Sequence, residues 1–223
     1  MSIEHQTGHQ DLPLDISPKQ INLIRRTYRL MGTKGADRLT LQDVADAARV
    51  SKAVVVYYFK TKENLVLTTM RWVLSQVAER IREAVSGAAT AEDKVTAMID
   101  AIFIDPKRNR NFYLAYLDLI DQSARHRRFN DLSTTFRSIV DAQYAEVVES
   151  GVAEGASAPT NAQDAAMVIR AIVDGLFLQW LQEREWEALH PVYKDACRRA
   201  IIAYLRSGTA RDPVTVSGKA ARR

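Results

Sequence analysis

In 223 residues this chain has nine glycines and six prolines, and most of them stand near its ends or in a few evident breaks. That scarcity constrains the fold more than any other feature. A turn-rich β architecture needs such residues at short, regular intervals, whereas long helices exclude them. Between the breaks, apolar residues recur three and four apart, the spacing of one helix face. Hydrophobic residues make up 47% of the chain and charged residues 26%, enough of each for a packed, solvated domain. The expected class is all-α.

Several function classes are excluded early. A single cysteine, Cys197, rules out an internal disulfide and fits a reducing, cytoplasmic setting. The opening "MSIEHQTGHQDLPLD" is polar and acidic, unlike a signal or transit peptide. The most apolar segment, "AIVDGLFLQWL", is too short and interrupted to span a bilayer, so no membrane partner is expected. The histidines His5, His9, His126 and His190 are scattered. Metal-ligand spacing, a Gly-rich phosphate loop and a nucleophile elbow are all missing, so no catalytic residue, metal or cofactor is assigned.

Charge is unevenly placed. Ser17–Lys62 holds ten basic residues (Lys19, Arg25, Arg26, Arg29, Lys34, Arg38, Arg49, Lys52, Lys60, Lys62) against Asp37, Asp43 and Asp46. That local excess of +7 lies in a chain whose total is only +4. A basic head on a slightly acidic body fits a polyanion partner, though a solvated basic surface has the same composition.

Three short helices are expected in this head. "SPKQINLIRRTYRLMGTKG" opens with Ser17 as N-cap and Pro18 at the first helical position. Ile21, Ile24, Tyr28 and Met31 then follow the helical period, and Gly32 or Gly35 closes it. In "TLQDVADAAR", Thr40 and Asp43 form a capping box, and Leu41, Val44, Ala45 and Ala48 share a stripe. The next segment, "VSKAVVVYYFKTKENL", is ambiguous because Val, Tyr and Phe favour strands. A strand would need a partner, and no nearby stretch supplies one. A helix over Lys52–Tyr58, capped by Ser51, turns Val55 and Phe59 inward and Ala53 and Tyr57 outward, flanked by Val54 and Val56. Helix, short helix, tight turn and short helix is helix-turn-helix spacing, a geometry that a plain corner in a bundle also has.

The residues are more specific than the spacing. Thr40, Val44, Ala45, Ala48, Val50, Ser51, Ala53, Val55, Tyr57, Tyr58, Phe59, Lys62 and Leu65 follow a pattern that resembles the DNA-binding signature of the TetR family of bacterial transcriptional regulators. Two positions depart from it. Arg49 stands where the family usually has glycine, and Val56 replaces a frequent tyrosine. The resemblance implies a duplex DNA operator as partner. Thr40, Tyr57 and Lys62 would lie along the backbone, Lys52, Ala53, Val54 and Val56 at base edges, and Tyr58 is a further DNA-binding candidate.

The remainder reads as a larger helical body. A long helix is expected from Thr61 to about Val85, then one from Thr90. "DPKRN" reads as a stop. Further helices follow near Asn111–Arg125 and Leu132–Glu149, with "RHRRFND" between them. "SGVAEGASAPTN" is the clearest loop. Ala162–Ala188 reads as one helix, broken at His190-Pro191 before a last one to about Arg206. The expected division is a flexible leader (1–16), a helix-turn-helix domain (17–62), a helical effector-binding and dimerisation domain (63–206) and a disordered basic tail (207–223).

"VDGLFLQWLQEREW" resembles the C-terminal domain of the family's choline-sensing, BetI-type branch. The family resemblance implies a homodimer through the last two long helices, with Ile169, Ile172, Val173, Leu176 and Leu181 as apolar surface and Gly175 allowing close approach. A monomer's core helix has the same periodicity. The resemblance also implies a small-molecule effector, expected to be apolar or cationic. Tyr113, Tyr116, Phe177 and Trp180 are its candidate lining, and Asp118, Asp121 and Asp174 candidate acids. Most aromatics at this spacing belong to a core. The function expected is a ligand-responsive regulator, typically a repressor. The alternatives are an activator of the same fold, or a helical enzyme or adaptor with a vestigial head.

Overall fold

The computed structural model describes residues 16–207 apart from Pro159. The leader and basic tail read from the sequence therefore lie almost wholly outside the described residues. Within them are nine helices and no strand.

The head is built as its caps dictate. In α1 (Pro18–Lys34) the Ser17 hydroxyl accepts from the Gln20 N–H, and the Gln20 side chain accepts from the Ser17 N–H. Gly35 ends it at φ 78°, where a side chain would be strained. In α2 (Leu41–Ala48) Thr40 and Asp43 form the reciprocal box. The ambiguous valine-rich segment is helical, as α3 (Lys52–Phe59). Val55 and Phe59 are buried, and the remaining side chains are exposed or half-buried. Two inward residues, anchored in the core shared with α1 and α4, override the strand preference of the valines. Ser51 is the N-cap, as expected, with extended backbone, but its side chain makes no cap hydrogen bond.

Helix α4 (Lys62–Ser86) connects head and body, starting at a Thr61 cap. The body continues through α5 (Ala91–Ile102), α6 (Pro106–Ser123), α7 (Arg127–Ala153), α8 (Ala162–Trp180) and α9 (Trp186–Ser207). One apolar core runs through head and body without interruption.

Three boundaries differ from expectation. "DPKRN" stops α5 but also starts α6, because Asp105 caps the Arg108 N–H and Pro106 takes the first helical position. In "RHRRFND" only Arg125 and His126 separate the helices, and from Arg127 the segment is the start of α7, anchored by buried Phe129. The break expected at His190-Pro191 falls instead at Leu181–Glu185, and Pro191 sits within α9. No helix breaker occurs in "LQERE". The turn is closed across its own ends by the Trp180 Nε1–H donating to the Trp186 carbonyl at 2.6 Å.

Candidate DNA interface and effector site

The turn between α2 and α3 fixes the reading helix. Val50 N–H bonds to the Ala45 carbonyl at 3.0 Å and Arg49 N–H to the Asp46 carbonyl at 3.1 Å. This is the Schellman arrangement, which needs a left-handed residue after the helix. Arg49 supplies it at φ 55°, ψ 46°. Beyond α3, Lys60 stands at φ 65°, ψ −52°, and Thr61 N–H reaches back to the Phe59 carbonyl at 2.7 Å. That is a positive-φ γ-turn, a rare and strained link. It redirects the chain from α3 into α4 with only Lys60 and Thr61 between the helices.

The outer face of α3 presents Lys52, Ala53, Val56 and Tyr57, with Val54 and Tyr58 half-buried beside them. Tyr57 is 69% exposed, and the Lys60 ammonium lies 5.3 Å from its ring centre. A large aromatic so exposed is unusual for a monomer surface and suits a contact with a ligand surface. Lys60 is a candidate that the sequence pattern did not single out, since only its backbone turn brings it to Tyr57.

Two sequence candidates are engaged within the chain. Thr40 Oγ1 donates to Asp43 Oδ2 at 2.8 Å, within the capping box. Asp43 in turn meets Lys34 Nζ at 2.7 Å, and these hydrogen bonds, that from Lys34 foremost, hold its carboxyl down at about 2. Lys62 Nζ donates to the Asp37 carbonyl at 2.5 Å, tying the start of α4 to the α1–α2 loop. Around these side chains, the first-turn amides of α2 and α4 remain as backbone donors of the kind that bind phosphate.

In the body, the four aromatic candidates come together. Tyr113 and Phe177 stack with centres 3.9 Å apart, and Phe177 meets Trp180 edge-on at 5.7 Å. Tyr116 lies edge-on to Tyr113 at 6.1 Å. Phe177 and Trp180 are wholly buried, packed on Phe103 and His190 rather than around open space. Of the four, Tyr113 also borders an open cleft between α1, α4 and α6.

The acids separate. Asp118 Oδ2 accepts the Ala36 N–H at 2.7 Å, which clamps the α1–α2 loop onto α6. Asp121 pairs with Arg125 at the surface, 2.7 Å away. Asp174 lies half-buried against the aromatics, with the Tyr113 hydroxyl donating to it at 3.4 Å. Burial raises its pKa, partly offset by the charge of Arg170 and the Tyr113 hydrogen bond. Arg170 is itself paired with Asp141 at 2.7 Å. Cys197 is fully buried and desolvation pushes its thiol up to about 12, so it is no nucleophile.

Helix α6 thus reaches from this aromatic centre to the head. Asn111 meets α1 at Gly32, where a Cβ would stand 1.7 Å from Asn111 Oδ1. Asn111 Nδ2 donates to the Tyr28 carbonyl at 3.4 Å, and Gln122 Nε2 to Asp37 Oδ1 at 3.2 Å. From α7, Arg128 reaches Glu63 at 3.1 Å and Asn64 at 2.9 Å on the first turn of α4. These links join residues more than sixty positions apart and have no local sequence signal.

Residues 23–69, covering α2, α3 and their surroundings, match the model for bacterial regulatory proteins of the tetR family. Residues 91–206 match the model for the BetI-type transcriptional repressor C-terminal domain, which takes in slightly more than half of the chain. The chain belongs to the TetR family. Within it, the chain is 30% identical over 168 residues to the HTH-type transcriptional regulator BetI of Burkholderia thailandensis, covering 72% of this chain and 80% of that one. With the BetI of Rhizobium meliloti it shares 26% over 160 residues, 70% and 75% of the two chains. A TetR transcription regulator from Haloarcula marismortui superposes with a TM-score of 0.74 at 22% identity, over 85% of this chain and 97% of that one. A transcriptional regulator from Saccharomonospora viridis solved in complex with choline gives 0.73 at 19%, over 82% and 92%. This TetR-family protein is a DNA-binding transcriptional regulator and not an enzyme. Among its described residues no helix is long and apolar enough to cross a membrane.

Proposed function

We propose that this regulator is a cytoplasmic homodimer that represses transcription from a near-palindromic operator and releases it when a small molecule enters the helical body. The observation that carries the operator reading is the outward face of α3, rigidly mounted on buried Val55 and Phe59. Lys52, Ala53, Val54 and Val56 are the proposed base-edge residues, and valine and alanine methyls suit thymine methyls. Tyr57, Tyr58, Thr40 and Lys62 are the proposed backbone side. Lys62 acts there chiefly by its field and by positioning α4, whose free amides meet a phosphate.

Dimerisation is supported by an apolar face that the chain leaves uncovered. Met167 is 64% exposed on α8, Val192 56% on α9, and Leu178 lies on the same side of α8. A Cβ at Gly175 would meet nothing of its own chain within 4 Å. An apolar face of this kind is normally buried against a partner.

For release, the proposed effector site surrounds Tyr113, Tyr116, Phe177 and Trp180, beside the half-buried Asp174. Beside Asp174 and the Asp141–Arg170 pair, a cationic ligand would meet both a carboxylate and aromatic faces. The choline in the Saccharomonospora viridis regulator is consistent with such a ligand. Helix α6 would carry the change to α1, because it bears both Tyr113 and the residues that clamp the head. An effector can shift the heads only if it binds one arrangement better than the other. A typical coupling of about 1–3 kcal/mol would weaken operator binding roughly 5- to 150-fold. Calorimetry with choline, with and without a bound operator fragment, tests this. Equal affinity in both states would remove choline as an inducer.

A further inference from the structure

A cleft of about 860 Å³ lies between α1, α4 and the α5–α6 connection, apart from the Asp174 centre except where Tyr113 borders both. Its volume is that of a site for a sizeable organic molecule. Five cations line it: Arg25 and Arg29 of α1, Arg80 of α4, and Lys107 and Arg108 of the first turn of α6. Its acids are Glu79 and Glu83, and Glu79 is already held by Arg82.

Among the described residues those arginines have no carboxylate as a counter-ion. None lies within ion-pair distance of Arg25, Arg29, Arg80 or Arg108 among these residues, and Lys107 reaches only Glu187, 3.9 Å away at the surface. Arg80 is half-buried, and its Nε donates to the Ala101 carbonyl at 2.7 Å, which orients the guanidinium. Burial foremost, and then the charge of Arg108, lower its pKa, so the two like charges act on each other across the cleft. The apolar lining includes Trp72 and Phe112, and the Arg25 guanidinium lies 5.8 Å from the Trp72 ring centre. A half-buried cation without a counter-ion, as Arg80 is among the described residues, is costly, and an anion that pairs with it is favoured in proportion.

We propose that this cleft binds an organic anion, a carboxylate or phosphate ester with a flat apolar portion, whose charge is held by Arg80 and Arg108 and whose apolar face lies on Trp72 and Phe112. Planar guanidiniums grip either head group through paired N–H donors. Because α1 and α6 both line the cleft, an occupant touches the head and the body at once. Only that consequence for DNA rests on the regulator reading. Binding itself does not.

The test is calorimetric titration of the free full-length protein, at fixed low salt, with four probes: 2-naphthoate, 2-naphthyl phosphate, neutral 2-naphthamide and choline. At least one naphthyl anion should bind at least tenfold more tightly than the amide, and the stronger of the two identifies the head group. Arg108→Gln should weaken that anion roughly tenfold or more, the size expected for one charged hydrogen bond. Arg108 is exposed on a first turn, so this variant should fold. Arg80→Gln should act in the same direction but also loosens the Ala101 contact. Arg128→Gln, outside the cleft, should leave anion binding unchanged. Anions that bind no better than the amide, or equally well to the Arg108 variant, would overturn the proposal. Anion binding that obeys these variants but leaves operator affinity unaltered would uphold the site and remove only its regulatory role.

Discussion

Arg49 shows how much one residue settles. The turn between α2 and α3 requires a left-handed residue, and an arginine there at φ 55° bears a steric cost that glycine does not. Arg49→Gly should therefore stabilise the fold by about 0.5–1 kcal/mol, net of the greater freedom glycine has when unfolded. Urea denaturation measures this, and a lower midpoint for the variant would contradict it. Asp174 is the second such residue. Its folded pKa is raised, so its ionised form is disfavoured in the folded state. The penalty is present at neutral pH and disappears as pH falls below the carboxylate's unfolded value, about 4. Asp174→Asn, which still accepts from Tyr113, should raise the melting temperature at pH 7, and the gap should close towards pH 4. A gap that widens on acidification would show that Asp174 is stabilised in its charged form. If Asp174 also receives a cationic effector, the same variant should lose the response.

Among the elements, α6 carries the most tertiary consequence. Its closest approach to α1 is at Gly32, where any side chain displaces Asn111. Gly32→Ala should cost about 1 kcal/mol, the worth of a disrupted hydrogen bond, and should weaken the coupling of effector to operator. Adding Asn111→Ala should recover part of that cost, because the clash and the contact share one partner. Additive losses in the double variant would place the effect elsewhere. This junction also marks the limit of what the sequence discloses. Caps made α1 and α2 legible almost to the residue, because Ser17–Gln20 and Thr40–Asp43 act within one turn. Helix α3 was legible from its inward pair despite the valines. The starts of α6 and α7 were not, because Asp105-Pro106 signals both a stop and a start and the basic run before Phe129 has no apolar period. The α8–α9 turn contains no helix breaker and is closed by Trp180 on Trp186, a pairing that residue types alone do not signal. Likewise, helical spacing placed Tyr113, Tyr116, Phe177 and Trp180 inside the body, but whether they enclose space or one another depends on partners from different helices.

At the scale of the whole molecule, the uncovered face of α8 and α9 and the outward face of α3 make one prediction together. Gly175 has free space within its own chain, so Gly175→Trp should fold normally yet obstruct a facing subunit. Light scattering should give about two chains of 25.1 kDa for the wild type and a shift towards one for the variant. A wild-type monomer at micromolar concentration would defeat the dimer. Two heads on a two-fold axis require two half-sites about one helical turn, or a multiple of it, apart. The most direct test of the account is selection of bound fragments from genomic DNA, followed by affinity measured against salt for the wild type and Lys52→Ala. The account predicts a near-palindrome bound by two chains with steep salt dependence, and a variant that loses about 1–3 kcal/mol of preference at one position of each half-site. Fragments without symmetry, bound no more tightly than bulk DNA and equally well by Lys52→Ala, would contradict it.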